Sequence, residues 1–482
     1  MAPTQMSRDP GSRTRQALIL TAVVYVVLRG WGLYSLPLIL TNDSIGYVDQ
    51  AMTLLGWQHA AADPDAKPFR TPGFPLLLAG LFKVFGMQPL AVLLALKVFG
   101  GLACLGVAWL GCRLAGPGLG MTAGLLCCFD PGLLLFEHFA LTEVPAAALT
   151  VLLIAAVVGL KRTPLWAGPF VGLLLGAAIL VRPALQIFVP FTAAAWLVRT
   201  RREGWQKVVT HLAVLLLSLA AVLAPRLAVN KQKYDRLTVA PGAGAFLWFG
   251  VQRAGLIKPD LCPDDDDIRR AYTPYETTPL SDGAFRAYCR ATDGMGRREH
   301  LLRRWAIRSV LHDKPAYLRW LVRSLQWQLN LYPPEILDET AWFFRHAARD
   351  DSAVCYTIDA PYAKPLVADN QPGLLGCLLK RWGDRPAPWF PTLPLFVFAL
   401  LTVAGAAWNR RWDLALMFGA TVAYVLFHAA LLSVPSRYTF PMTVAWYAAV
   451  AILPALVRGT HNKTHTPCAG RTDHGATCRG DL

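Results

Sequence analysis

Two short runs near the start of the chain hold the residue types that acid–base chemistry on a phosphate ester needs. They are Thr41-Asn42-Asp43-Ser44-Ile45-Gly46-Tyr47 and Arg70-Thr71-Pro72-Gly73-Phe74-Pro75. A carboxylate can take a proton from an attacking hydroxyl. A guanidinium can hold a phosphate as it leaves, through charge-assisted hydrogen bonds. Both runs fall between the first and second long apolar stretches. If those stretches cross a membrane, Asp43 and Arg70 sit on the same side of it, as chemistry on a lipid-linked phosphate would require.

Other polar groups recur at the ends of later apolar stretches: Glu137, His138 and Glu143, then Arg182, then Arg437 and Tyr438. Each has a structural reading beside a chemical one. Asp43 suits an N-cap as well as a base. Glu143, two residues before Pro145, suits a helix N-terminus. It equally suits a second carboxylate that orients Asp43, an arginine or a metal ion. His138 suits packing or metal ligation. Arg70, Arg182 and Arg437 each suit snorkelling to headgroups, whereas three arginines in one cavity suit a phosphate or pyrophosphate. The residue types leave a divalent cation open without naming its ligands.

The elements that position these groups follow from composition. The chain has 482 residues, of which 54% are hydrophobic and 16% charged, against about 25% charged in soluble domains. Apolar runs of about 20 residues, the length of a bilayer-crossing helix, recur along it. The fold class is all-α polytopic membrane protein with about ten transmembrane helices. They are expected near 17–40, 87–111, 119–136, 144–160, 165–181, 186–198, 208–225, 388–408, 414–433 and 440–457. The first is too long, and wrongly flanked, for a cleaved leader.

Lys and Arg gather in the N-terminal tail, in alternate short loops (Arg113; Lys161 and Arg162; Arg199, Arg201, Arg202 and Lys207; Arg410 and Arg411) and in the C-terminal tail. By the positive-inside rule both termini are cytoplasmic. Asp43, Glu137, His138, Glu143, Arg182, Arg437 and Tyr438 then share the outer face. The net charge of +16 is explained by these loops and suits anionic lipid rather than nucleic acid.

The chain divides into a cytoplasmic tail (1–16), a membrane catalytic domain (17–225), an extracytoplasmic or interfacial, largely helical segment (226–387), C-terminal transmembrane helices (388–457) and a cytoplasmic tail (458–482). Within the second, the loop 41–86 carries two interfacial helices. One has Ile45, Val48, Ala51, Met52 and Leu55 at helical spacing, and the other runs from Phe74 to Phe85. Residues 297–330 read as basic amphipathic helices. Asp264 to Asp267 read as a solvated turn or helix start. Of the ten cysteines, Cys104, Cys127 and Cys128 read as packing residues, while Cys262, Cys289, Cys355 and Cys377 in the outer segment would permit disulfides.

Together these pieces resemble the GT-C superfamily of membrane glycosyltransferases. The resemblance is to the branch with protein O-mannosyltransferases, lipid A aminoarabinose transferases and rhizobial lipopolysaccharide galacturonosyltransferases. The matching pieces are Asp43-Ser44-x-x-Tyr47, Arg70-Thr71-Pro72-Gly73-Phe74-Pro75, Leu141-Thr142-Glu143, Leu180-Val181-Arg182-Pro183 and Ser436-Arg437-Tyr438, with a weaker match at His312-Asp313-Lys314-Pro315 and Tyr317. The resemblance implies a sugar donor on a polyprenyl phosphate and an envelope glycolipid, glycan or protein acceptor at the outer face of the cytoplasmic membrane. It implies an inverting displacement, with Asp43 as general base and Glu143 assisting the acceptor or a metal. Tyr47, Arg70, Arg182, Arg437 and Tyr438 would bind substrate. Two departures, Asp43-Ser44 where many relatives have Asp-Glu and Arg70-Thr71-Pro72 where the aminoarabinose branch has Lys-Pro-Pro, argue against either branch-specific activity. A multi-pass transporter or flippase is the alternative class, and a lipid-phosphate-binding scaffold or polymer ligase a further one. A transporter would predict internal repeats and mid-span charges; no repeat is evident, and the spans hold few charges, Arg29 and Lys97 among them.

Overall fold

The computed structural model describes residues 10–35, 38–40, 42–57, 70–160, 164–266, 268–269, 289, 296–329, 392–431 and 440–464. Among them the chain is helical without β-strands. The one bridge pairs Ile39 with Phe139.

The N-terminal half begins with α1 (Pro10–Ser35), α2 (Asn42–Leu54), α3 (Gly73–Phe85) and α4 (Pro89–Ala115). It continues with α5 (Pro117–Cys128), α6 (Pro131–Phe136), α7 (Glu143–Val158), α8 (Ala167–Val181), α9 (Phe188–Thr200) and α10 (Trp205–Tyr234). The middle segment contributes α11 (Ala243–Arg253), α12 (Glu299–His312) and α13 (Lys314–Leu329). The C-terminal part contributes α14 (Thr392–Trp408), α15 (Trp412–Leu431) and α16 (Phe440–Thr464). Five of these, α1, α4, α10, α15 and α16, are long and apolar enough to cross a bilayer. α3, α5, α7, α8, α11 and α14 are shorter apolar helices. Where they are described, the ten expected stretches fall on helices or a helix pair, five of which have the length and hydropathy to cross a bilayer.

Packing centres on α4, which touches α1, α5, α7 and α16, while α10 lies along α8 and α15 along α9. Small residues make the close crossings: Gly106 faces Val151, and Gly111 faces Gly120. α1 and α10 turn apolar side chains such as Val26, Val27 and Leu217 outward, where lipid would cover them.

Outside this bundle, α2 and α3 form a separate apolar cluster through Val48, Ala51, Met52, Phe74, Leu78 and Phe82, with the start of α4. These are the two helices expected in the loop 41–86. Cys104, Cys127 and Cys128 are buried in the main core. Cys262 and Cys289 are free thiols; Cys355 and Cys377 lie outside the described residues.

Two helix boundaries differ from expectation, and the acidic run takes one of its two expected forms. The single stretch 119–136 is two helices, because Asp130 caps α6 by accepting from Leu133 N (2.6 Å) and Pro131 follows at the first helical position. α10 continues past Pro225 to Tyr234, well beyond the boundary near 225. In the acidic run, Asp265 accepts from Ile268 N (3.0 Å) and Asp264 pairs with Arg269, which is the helix-start reading.

Candidate active site

Asp43 lies in the first turn of α2, and Arg70 in the short segment just before α3. Arg70 Nη2 donates to Asp43 Oδ1 at 2.7 Å. The arginine is buried at 4% exposure, whereas the aspartate side chain is 32% exposed. Of the two, therefore, the carboxylate is the one a substrate hydroxyl can reach. The Arg70 carbonyl accepts from Arg226 Nη2 of α10 at 3.0 Å, which ties the segment to the bundle.

Residues 43 and 47 are four apart and share a face of α2. The Arg70 guanidinium stacks over the Tyr47 ring, 4.6 Å from its centroid, and that ring meets Phe74 edge-on at 5.3 Å. Gly46 completes the slot. A Cβ there would overlap Arg70 Nη1, so only glycine leaves room for the guanidinium. Nη1 itself is buried and, among the described residues, has no hydrogen-bond partner, a state that costs about 1–3 kcal/mol until an acceptor arrives.

Arg182 ends α8. The ring of Pro183 disfavours helical geometry at the residue before it, and Arg182 is extended at φ −143° and ψ 104°. Its Nε donates to the Tyr424 hydroxyl of α15 at 2.7 Å, and its Nη1 to Thr142 Oγ1 at 3.2 Å. Nη1 also lies 3.4 Å from Glu143 Oε1, at the start of α7. All of these side chains are buried.

The two ion pairs are neighbours because α3 starts hard against the end of α8. Gly73 rests on the Leu180 carbonyl and Val181 N, with no room for a Cβ. Tyr47 registers the result. Burial pushes its hydroxyl up to about 12; Arg70 and Arg182 oppose that rise while Asp43 and Glu143 add to it. At neutral pH the hydroxyl is a proton donor set among four charges.

Glu137 and His138 do not join this group. Arg29 Nε donates to Glu137 Oε2 at 2.6 Å, Tyr25 donates to Glu137 Oε1 at 2.9 Å, and Lys97 Nζ donates to His138 Nε2 at 3.0 Å. Lys97 is also 3.7 Å from Glu137. The two mid-span cations thus share one buried carboxylate. This cluster fixes the segment that passes residue 39, where Ile39 N donates to the His138 carbonyl at 2.6 Å, just ahead of Thr142 and Glu143.

Ser436, Arg437 and Tyr438 lie outside the described residues. Among the described residues no group of three or more His, Cys, Asp or Glu forms a metal-binding cluster. Asp43 and Glu143 are the oxygen donors near Tyr47, and each faces an arginine. Sequence reasoning missed Gly46, Thr142 and Tyr424. Gly46 and Thr142 carried a signal, as the neighbours of Tyr47 and Glu143 in their short runs; Tyr424 carried none.

The fold and site define a helical membrane protein with two arginine–carboxylate pairs beside one tyrosine. No family model matches the chain, and no curated protein matches it. Solved structures similar to it include the oligosaccharyltransferase AglB of Archaeoglobus fulgidus with an inhibitory peptide and a dolichol-phosphate (14% identity, 96% of this chain, 52% of that one, TM-score 0.47). The same organism's oligosaccharyltransferase with Zn and sulfate is also similar (14% identity, 93% and 49%, TM-score 0.44). So is ArnT of Cupriavidus metallidurans bound to undecaprenyl phosphate (15% identity, 92% and 79%, TM-score 0.34). The chain spans about half the length of the archaeal structures it matches. AglB and ArnT are GT-C glycosyltransferases, the superfamily whose motifs the sequence resembles. At these scores the likeness carries no argument about activity.

Proposed function

We propose that the chain is a membrane glycosyltransferase. It moves a sugar from a polyprenyl-phosphate donor to an extracytoplasmic lipid, glycan or protein acceptor, with its site at the outer face of the cytoplasmic membrane. The observation that carries this reading is the Asp43–Arg70 pair: a reachable carboxylate held 2.7 Å from a buried guanidinium with an unused donor.

In the reaction, Asp43 removes the proton from the acceptor hydroxyl as its oxygen attacks the anomeric carbon from the face opposite the phosphate. The bond from that carbon to the phosphate oxygen breaks, and polyprenyl phosphate leaves with the electron pair. The anomeric configuration inverts. Arg70 Nη1 and Arg182 meet the charge that grows on the departing phosphate. Tyr47 donates a hydrogen bond to a sugar or phosphate oxygen. Glu143 holds Arg182 in place and borders the acceptor. Arg437 and Tyr438 are assigned to the phosphate end by their sequence motif alone. Grooves between the apolar helices take the prenyl chain.

The test is sugar transfer from polyprenyl-phosphate donors in membranes, comparing wild type with Asp43→Asn at equal expression. Loss of about 10²–10⁴-fold in the folded variant supports the base. Full transfer by the variant overturns it. Absence of transfer by wild type from every donor tried favours the transporter and scaffold classes instead.

A further inference from the structure

A second arginine cluster lies at the opposite end of the bundle from Asp43. Arg113 in the last turn of α4, Arg199 in the last turn of α9 and Arg411 just before α15 line a cavity of about 370 Å³ beside Glu203 and the end of α7. α7 sets the separation. Glu143 stands at its start and Val158 at its end, about 22 Å apart at 1.5 Å per residue.

We propose that this cavity binds the phosphate of an anionic phospholipid headgroup. Charge supports it. Three guanidinium groups face two carboxylates, since Arg199 and Arg411 both reach Asp413 (3.8 and 3.3 Å). Unused donors support it as well. Among the described residues Arg113 gives Nε alone, to the Gly159 carbonyl at 3.0 Å. Arg199 gives Nη1 to the Val157 and Val158 carbonyls at 3.1 and 3.2 Å, while its buried Nε has no partner among the described residues. The carbonyl contacts cap the C-terminal end of α7 and hold both guanidinium groups in one orientation. Each arginine has five N–H donors in a rigid fork that matches phosphate oxygens.

Depth decides between a lipid and a soluble phosphate. Trp166, Trp205, Trp408 and Trp412 start or end helices at this same end and are 60%, 74%, 80% and 46% exposed. Tryptophans so placed mark the headgroup level of a bilayer. A basic pocket between helix ends at that level is the form that anionic headgroup sites take.

The experiment titrates phosphatidylglycerol into the detergent-purified full chain and reads binding by native mass spectrometry. Phosphatidylcholine and glycerol 1-phosphate are run in parallel. The variant Arg113→Gln/Arg411→Gln removes two exposed side chains, and Lys231→Gln is a charge control at the other end. Phosphatidylglycerol should bind in preference to phosphatidylcholine. The double variant should weaken it about tenfold, the loss of roughly one charge-assisted hydrogen bond, and Lys231→Gln should leave it unchanged. Equal binding by the double variant, or equal binding of phosphatidylcholine, overturns the proposal. Glycerol 1-phosphate binding as tightly as the lipid would show a soluble phosphate ester as the ligand and overturn the lipid assignment. Binding is read without sugar transfer, so failure of the glycosyltransferase reading leaves this result standing.

Discussion

The Arg70 guanidinium occupies the space that a side chain at position 46 would fill. Gly46 sits mid-helix, where alanine would favour the helix by about 1 kcal/mol. Gly46→Ala therefore separates folding from function. The variant should melt no lower than about 1 kcal/mol below wild type, because Arg70 can be displaced. Donor KM should rise about tenfold as Arg70 loses its place over Tyr47. The thinner lysine head in Gly46→Ala/Arg70→Lys should recover part of that loss. Steady-state transfer against donor concentration checks it; an unchanged KM would mean that Arg70 does not contact the donor.

Tyr47 gives a pH prediction. Its hydroxyl is pushed up to about 12 in the folded protein, against about 10 when unfolded. Between those values the folded state binds a proton that the unfolded state has lost, so stability falls as pH rises from about 10 to about 12. The loss is about 2–3 kcal/mol. Tyr47→Phe should remove that part of the alkaline decline. Denaturant melts of both proteins at pH 9 and pH 11 check the difference. Equal slopes would show that the hydroxyl is not held among those charges.

Glu137 is the carboxylate shared by Arg29 and Lys97. Glu137→Gln leaves two buried cations without a counter-charge and should destabilise by about 3–5 kcal/mol. A concerted Arg29→Met/Lys97→Met/Glu137→Leu change should cost less, since it removes both cations and their shared carboxylate together. Thermal unfolding in detergent ranks the two. If the single variant is the milder, the cluster is not the anchor of the segment between Ile39 and Glu143.

Arg182 is held by Tyr424 and Thr142 through two different nitrogens. Arg182→Lys cannot keep both bonds and should lower kcat/KM for the donor about tenfold or more. Tyr424→Phe removes one hydrogen bond, worth about 1 kcal/mol, and should fall between that variant and wild type. The ordering of the three proteins in donor kinetics is the check.

The sequence alone determined the helical class, the position of each apolar stretch and the placing of Asp43 and Arg70 between the same two of them. Hydropathy is a property of contiguous residues, and the two runs follow one another between the same pair of helices. The close pairing of Asp43 with Arg70 was legible for that reason, across only 27 positions. The break at Asp130-Pro131 carried a local signal too, a capping residue before a proline.

Tertiary structure decided the rest. Arg182 meets Tyr424 across 242 positions, and nothing local marks either as the other's partner. Arg29 and Lys97 lie in apolar runs and Glu137 at the end of another; their charges signalled only that a partner must exist. Gly46 and Gly73 matter for what is absent from them. The space a missing Cβ leaves has meaning only once Arg70 and the end of α8 are packed into it.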